Sequence, residues 1–299
     1  MQFKRAWKQV DGVLLLDKPI GLTSNDALQK ARRLFSAAKG GHTGTLDPLA
    51  TGLLPLCFGE ATKFSADLLD ADKTYEAEIK LGVTTDSGDA EGEIIATAAV
   101  DVEKSDIFRV LPQFTGDIRQ IPPMHSALKR NGRPLYELAR KGIEVEREPR
   151  AVTIHAIAIL SLAGDTLSLR VACSKGTYIR VLAADIGKAL GCGAHLTGLR
   201  RTVVGDLDLA RSVTLEELET LDEAGRAGHL QPVDALLHSL PVVMLEGESA
   251  ERFRHGNPVD LAAGLAGKIR IYADGRLIGV GEPGADGRLW PKRLVQLAA

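Results

Sequence analysis

The 299-residue chain predicts an α+β fold: a large domain with a mixed, mainly antiparallel sheet flanked by helices, and a small β-barrel module at the C-terminus. Three observations lead there. Helical stretches are interleaved with strands joined by hairpins, as in "AVTIHAIAILSLAGDTLSLRVACS", where a Gly-Asp turn returns the chain on itself. The composition changes near "LLHSLPVVMLEGE", after which short β-rich runs are punctuated by Asp274-Gly275 and Asp286-Gly287 at hairpin positions. The length also suits one large domain plus a smaller one. The boundary is placed after residue 238, giving domains 1–238 and 239–299.

Taken in order, "GVLLLDKPIGLTS" reads as a short buried strand stopped by Asp-Lys-Pro and a glycine turn. "TSNDALQKARRLFSA" carries Ala27, Leu28, Ala31, Leu34 and Phe35 at helical spacing, with Thr23 or Ser24 as N-cap and Gly40-Gly41 as the stop. "TYEAEIKLGVTTDS" puts Tyr75, Ala77, Ile79 and Leu81 on one face of a strand, and "GDAEGEIIAT" is a turn and a further strand. "KGTYIRVLAADIGKALGCG" is a helix with Ile179, Leu182, Ala183, Ile186 and Leu190 as its buried stripe, and "TLEELETL" opens another with a Thr214–Glu217 capping box. Residues 116–150 differ: a Pro-Pro, an Asn-Gly and a basic stretch flank the short helical piece "PLYELARKG". This is a long excursion from a sheet, and long loops in compact domains are usually functional.

Composition excludes several classes. Apolar runs such as "AIAILSLAG" are too short to span a bilayer, and no apolar segment follows the basic N-terminus, so no membrane association is expected and the chain is placed in the cytoplasm. Cys57, Cys173 and Cys192 form no CxxC and leave an odd count, against a disulfide framework or structural zinc. The seven histidines make no metal-ligand motif. Net charge is −2, but it is unevenly placed. Lys30, Arg32, Arg33 and Lys39 fall in an acid-free stretch, and residues 118–150 hold eight Lys/Arg against four Glu. Solvated faces account for this as well as backbone binding to nucleic acid does.

"GGHTGTLDPLATGLLPLCFGEATK", residues 40–63, packs glycine and threonine around Asp47. Asp-Pro followed by "LATG" suits an N-cap with Pro48 in the first turn of a helix. A phosphate loop is rejected, because Gly-Lys-Ser/Thr is missing and a central acid repels phosphate. The remaining alternative is a catalytic carboxylate approached closely by substrate. Arg180 falls in the opening turn of its helix, where the dipole disfavours a cation, which suits an Arg facing a carboxylate as well as it suits a snorkelling surface side chain.

These segments resemble the bacterial tRNA pseudouridine-55 synthases, the TruB family. The likeness runs through "GVLLLDKPIGLTSNDALQK", "GHTGTLDPLATGLLPLCFGEATK", "DKTYEAEIKLGVTTDSGDAEGE", "IPPMHSALKRNGRPLYELARKGIEVEREPR" and "CSKGTYIRVLAADIGKALGCGAHLTGLRRT". It covers residues of about 10–205; the last sixty residues look like the PUA-type RNA-binding module of such enzymes. The resemblance implies isomerisation of the uridine at tRNA position 55, in the T-loop. The glycosidic bond breaks, the base turns, and C5 rejoins C1′.

It further implies Asp47 as the catalytic aspartate, Arg180 as its partner, and Tyr75 as the ring stacked on the uracil. Tyr178 is a further substrate contact, His42 fills the place of the extruded nucleotide, and Leu199 lies over the base. An extruded base needs a stacking partner and a replacement in the stack, which suits Tyr75 and His42. Asp47 could attack sugar or base or take a ribose proton, with Arg180 keeping it ionised. The basic excursion would clamp the T-arm backbone through Lys129, Arg130 and Arg133. No metal or organic cofactor and no obligatory protein partner is implied. His125 stands where relatives carry Tyr and is assigned to RNA contact rather than chemistry. A non-catalytic RNA binder and a nucleoside or glycoside hydrolase are the competing classes.

Overall fold

The computed structural model describes residues 6–126, 128–130, 132–260 and 264–296; the side chains of Lys129 and Arg130 lie outside that description. Eleven strands form one sheet. Across its main path run Val213–Thr214, Gly12–Lys18, Ala50–Phe58, Ala194–Val204, Lys73–Leu81, Thr166–Cys173, Arg150–Ala163 and Gly116–Gln120. Only the pairings of Gly12–Lys18 with Val213–Thr214 and of Ala50–Phe58 with Ala194–Val204 are parallel on this path. The α+β expectation, mixed and mainly antiparallel, therefore holds.

The first strand reads as an unbroken apolar run because both of its faces are covered. Leu14 and Leu16 join helix Ser24–Phe35 through Ala27, Leu28 and Ala31, while Val13 and Leu15 enter a second core with Leu53, Cys57 and Phe64. Helix Ile179–Ala189 lays Ile179, Leu182, Ala183 and Ile186 on Ala77, Ile79, Leu167 and Leu169. The helix that follows the first strand stops earlier than expected. Ser36 adopts the left-handed conformation as its C-cap, and Gly40 and Gly41 belong to strand Gly40–His42 instead.

Strand Ala50–Phe58 overturns one reading of Asp47. No helix follows Asp47-Pro48, so this carboxylate caps nothing; the chain passes straight from its turn into the sheet. The basic excursion is also shorter than the sequence suggests. Gly116–Gln120 pairs with residues 150–154 in the main sheet, so the segment outside it begins at Ile121. It holds a two-residue hairpin, Lys129–Arg130 with Arg133–Pro134, and a short helix, Leu135–Ala139.

The C-terminal sheet has five strands, in the order Val242–Met244, Ile269–Ala273, Arg276–Pro283, Arg288–Leu294 and Val259–Asp260, packed on helix Gly247–Arg254. Leu277 and Val280 of this sheet share a core with Phe64, Leu68, Val233, Leu236 and Leu237. At the seam, Lys63 Nζ donates to the Leu294 carbonyl at 2.9 Å and the Gln296 N–H to Glu60 Oε2 at 2.8 Å.

Gly52 sits where three strands meet, opposite Lys18 on one side and Arg201 on the other, with φ +96°. A Cβ there would lie 2.3 Å from the Arg201 carbonyl oxygen. Gly52→Ala combines left-handed strain with a backbone clash and is expected to destabilise the protein by about 3 kcal/mol or more, read from urea unfolding.

Candidate active site

Asp47 is fixed from both sides by its own loop. The Leu46 N–H donates to Ser24 Oγ at 2.7 Å, Ser24 Oγ lies 3.1 Å from the Leu46 carbonyl, and Leu46 is buried in the core. Ser24 is free for this because Thr23 takes the N-cap, accepting from the Asp26 N–H at 3.1 Å. On the far side, the Gly21 N–H donates to the Pro48 carbonyl at 2.8 Å. The side chain therefore projects from a backbone held by side-chain and backbone hydrogen bonds.

It projects into a cleft of about 290 Å³. Tyr75, Tyr178, Arg180 and Leu199 line the same cleft, although they come from one helix start and two strands. Arg180 is the hub. Its Nη2 lies 3.1 Å from Asp47 Oδ2 and donates to the His125 carbonyl at 2.6 Å. Its Nη1 donates to Asp89 Oδ2 at 3.0 Å. Asp89 is itself held, accepting from Ser87 Oγ at 2.7 Å and from the Glu91 N–H at 3.1 Å. The Arg180 side chain is 7% exposed and that of Asp89 4%, against 42% for Asp47. One carboxylate thus anchors the guanidinium from inside, and the other meets it at the floor of the cleft.

Burial of the Asp47 carboxyl below the rim pushes its pKa above the usual carboxylate range. Arg180 pulls it down, and Asp89, a second negative charge, adds to the rise. Desolvation outweighs the ion pair, so Arg180 limits the rise rather than producing an unusually acidic group.

Tyr75 meets a second buried cation. Arg201 is 1% exposed, donates through Nε to the Leu53 carbonyl at 2.8 Å, and stands opposite Tyr75 in the register of the neighbouring strand. Burial raises the Tyr75 pKa, which keeps the ring neutral. Tyr178 stands at the start of helix Ile179–Ala189, and Gln120 clamps its backbone: the Tyr178 N–H donates to Gln120 Oε1 at 2.9 Å and Gln120 Nε2 to the Tyr178 carbonyl at 3.3 Å.

His42 is not among the residues lining the cleft. It lies on strand Gly40–His42, with Nδ1 enclosed and without a hydrogen-bond partner among the described residues. Burial first, and the Arg201 charge second, push its pKa down, so the imidazole is neutral. Arg133 is exposed on its hairpin, away from this lining; Lys129 and Arg130 share the hairpin, but their side chains are outside the described residues.

Several residues escaped the sequence reading. His125, assigned to RNA contact, lines the cleft and gives its carbonyl to Arg180. Asp89 was hidden in a segment that reads as a turn. Lys18 is fully buried, donating to the carbonyls of Pro19 at 2.9 Å and Leu22 at 2.7 Å, and burial pushes its pKa down to about 8 against the opposing pull of Asp47. A Lys interrupting a buried strand just before Pro was the available signal for it; "GLRRT" was the signal for Arg201.

The asymmetry around Arg180 has a measurable consequence. Asp89→Ala removes the buried counter-charge and is expected to cost about 3 kcal/mol in urea unfolding. Asp47→Asn removes the half-exposed partner while Asp89 still pairs with Arg180, and is expected to cost less than about 1 kcal/mol.

Residues 32–179 match the family model of the TruB family pseudouridylate synthase N-terminal domain. Residues 180–238 match the tRNA pseudouridylate synthase B C-terminal domain, and residues 241–295 the pseudouridine synthase II TruB C-terminal model. The curated tRNA pseudouridine synthase B of Dechloromonas aromatica (strain RCB) is 82% identical over 298 residues, covering all of both chains. That of Aromatoleum aromaticum is 58% identical, covering all of this chain and 97% of the relative. Among solved structures, a Cbf5–Nop10–Gar1 complex aligns at 30% identity and a TM-score of 0.70, over 91% of this chain and 78% of the other. An H/ACA RNP bound to a substrate RNA containing 2′-deoxyuridine aligns at 26% identity and a TM-score of 0.71, over 96% and 85%. Sequence identity that runs the whole length, through the segments that build the Asp47 cleft, settles the kinship: the chain belongs to the TruB family of pseudouridine synthases.

Proposed function

We infer that this chain is a tRNA pseudouridine synthase that isomerises the uridine at position 55 of the T-loop. Its full-length likeness to curated enzymes of that name supports the reaction. The observation that carries the assignment of residues is Asp47, a carboxylate on a fixed loop, facing a buried Arg180 in a cleft walled by Tyr75 and Leu199. A target uridine held inside the folded T-loop has to leave its stack to reach that floor.

In this reading Tyr75 stacks on the extruded uracil, with Arg201 opposite it on the neighbouring strand, and Leu199 covers the base. Tyr178 closes the cleft beside it. His42, with a neutral imidazole, enters the T-loop where the base has left, so a flat ring stacks in its place. As the glycosidic bond breaks, positive charge grows at C1′, and an ionised Asp47 stabilises it or bonds to it. The freed uracil, with the electron pair of the broken bond on N1, turns while the walls retain it; C5 bonds to C1′ and then loses its proton, and N1 takes one up, so the product is an isomer of the substrate. Arg180 holds the carboxylate in line throughout. The excursion from residue 121 contributes backbone contacts through Lys129, Arg130 and Arg133. The enzyme works in the cytoplasm, without an obligatory protein partner.

The decisive experiment is incubation of the purified chain with unmodified tRNA, followed by mapping of pseudouridine. Formation at position 55 is the expected result; release of free uracil would make the protein a hydrolase, and binding without conversion would make it an RNA binder. Asp47→Asn is expected to abolish conversion and leave tRNA affinity within about threefold, because shape and phosphate contacts persist. Turnover needs Asp47 ionised, and its pKa is raised, so kcat/KM for the wild type is expected to fall on the acid side at a pH above about 4, the ordinary carboxylate value. Replacing Lys129, Arg130 and Arg133 together with Ala is expected to weaken tRNA binding and flatten its salt dependence by up to three phosphate contacts' worth of slope, roughly 0.7–0.9 each, measured by titration at several salt concentrations.

A further inference from the structure

One wall of the cleft is held by a charge for which the chemistry above has no use. Lys73 opens strand Lys73–Leu81, two residues before Tyr75, so both side chains leave the same face of the sheet, and both line the cleft. Lys73 is buried. Its Nζ donates to the carbonyls of Leu69 at 2.8 Å, of Leu68 at 3.3 Å, and of Ala71. An ammonium has three N–H donors, and here each finds a backbone carbonyl of a single turn.

Among the described residues Lys73 forms no ion pair, because its acidic neighbours face elsewhere. Asp70 pairs with Lys175 at 2.7 Å and Asp72 with His155 at 3.1 Å. Burial pushes the Lys73 pKa down to about 8. Arg201 on the neighbouring strand adds to the fall, while Cys173, Asp70 and Asp72 oppose it. The sheet thus buries a cation at some cost, and what it gains is a fixed turn.

That turn points two leucines in opposite directions. Leu68 enters the core shared with the C-terminal sheet, whereas Leu69 lines the cleft and is 47% exposed. An exposed leucine alone is ordinary. A leucine at the mouth of a cleft, on a turn whose carbonyls a buried ammonium gathers, is a placed surface. The Asp70–Lys175 pair ties the same turn to the segment after the neighbouring strand, but both partners are open to solvent, and such pairs contribute only about 0–1 kcal/mol. Lys73 is the principal tie.

We propose that Lys73 is a positioning residue, whose ammonium fixes the Leu68–Ala71 turn so that Leu69 packs on the uridine stacked by Tyr75. This rests on the pseudouridine synthase reading and adds a wall to its substrate site. The contact exists in the ground state as in the transition state, so its loss appears in KM rather than kcat.

The test compares wild type, Leu69→Ala, Lys73→Met, Lys73→Arg and the Leu69→Ala/Lys73→Met double variant in steady-state pseudouridine formation on tRNA, below the melting temperature of each. Leu69→Ala and Lys73→Met are each expected to raise KM about tenfold, within the range for loss of one apolar contact, with kcat within about twofold. The double variant is expected to be no worse than either single one, since both remove the same contact. Lys73→Arg, which keeps cationic donors, should recover part of the loss. An unchanged KM in Lys73→Met, or losses that multiply in the double variant, would overturn the proposal. Should Lys73→Met not fold, Leu69→Ala decides alone, and an unchanged KM there also overturns it. A wild-type chain that forms no pseudouridine would instead refute the enzyme reading. The wall is then tested by tRNA affinity on the Asp47→Asn background, where about tenfold weaker binding in Leu69→Ala and Lys73→Met supports it and equal binding overturns it.

Discussion

A buried guanidinium cannot be left unpaired, and the cleft is organised around that constraint. Arg180 enters the interior at the first turn of a helix, the end whose dipole repels it, so the chain must supply negative charge from elsewhere. Asp89 supplies it from the buried side and Asp47 from the cleft side, with the His125 carbonyl taking a further N–H. These contacts draw together the Asp47 loop, the Ser87–Glu91 turn and the start of the excursion. Moving Arg180 would leave at least two of those segments without the charge that orients them.

The sheet provides the rigidity this arrangement needs. Asp47 stands one turn ahead of strand Ala50–Phe58, which runs between Gly12–Lys18 and Ala194–Val204, and Leu199 and Tyr75 come from the next two strands across. A group placed at the end of a central strand inherits the precision of the sheet. The glycine of this strand at position 52 is required because neighbouring backbone fills the space a side chain would need. The Gly-rich segment around Asp47 therefore serves packing as much as access.

Among the described residues, buried cations outnumber buried anions in this part of the molecule. Lys18, Lys73, Arg180 and Arg201 are all buried within it, against Asp89 and the half-open Asp47. Backbone carbonyls satisfy Lys18 and Lys73, so these side chains brace loops instead of neutralising acids. The excess of positive charge suits a polyanionic substrate, although the net charge of the whole chain is −2. Overall charge was a poor guide because most of the acids lie on outer faces, as Glu216, Glu219 and Glu223 do.

Local grammar determined a good deal by itself. The helix stripe of Ile179, Leu182, Ala183 and Ile186, the Thr214–Glu217 capping box and the Gly164-Asp165 turn depend on neighbours within a few residues, and each formed as its pattern requires. The motif segments also carried the family, which the full-length relatives bear out. Tertiary structure decided what distant neighbours decide. It made residues 50–58 a central strand, where Asp-Pro had suggested a helix start, because pairing on both edges outweighs a capping preference. It put His125 at the cleft, with its backbone carbonyl on Arg180, and made Asp89, in a segment that reads as a plain turn, the anchor of Arg180. A side chain's charge is visible in the sequence. Its burial and its partner are set by which strands lie side by side, and desolvation and Coulomb attraction act only once that packing exists.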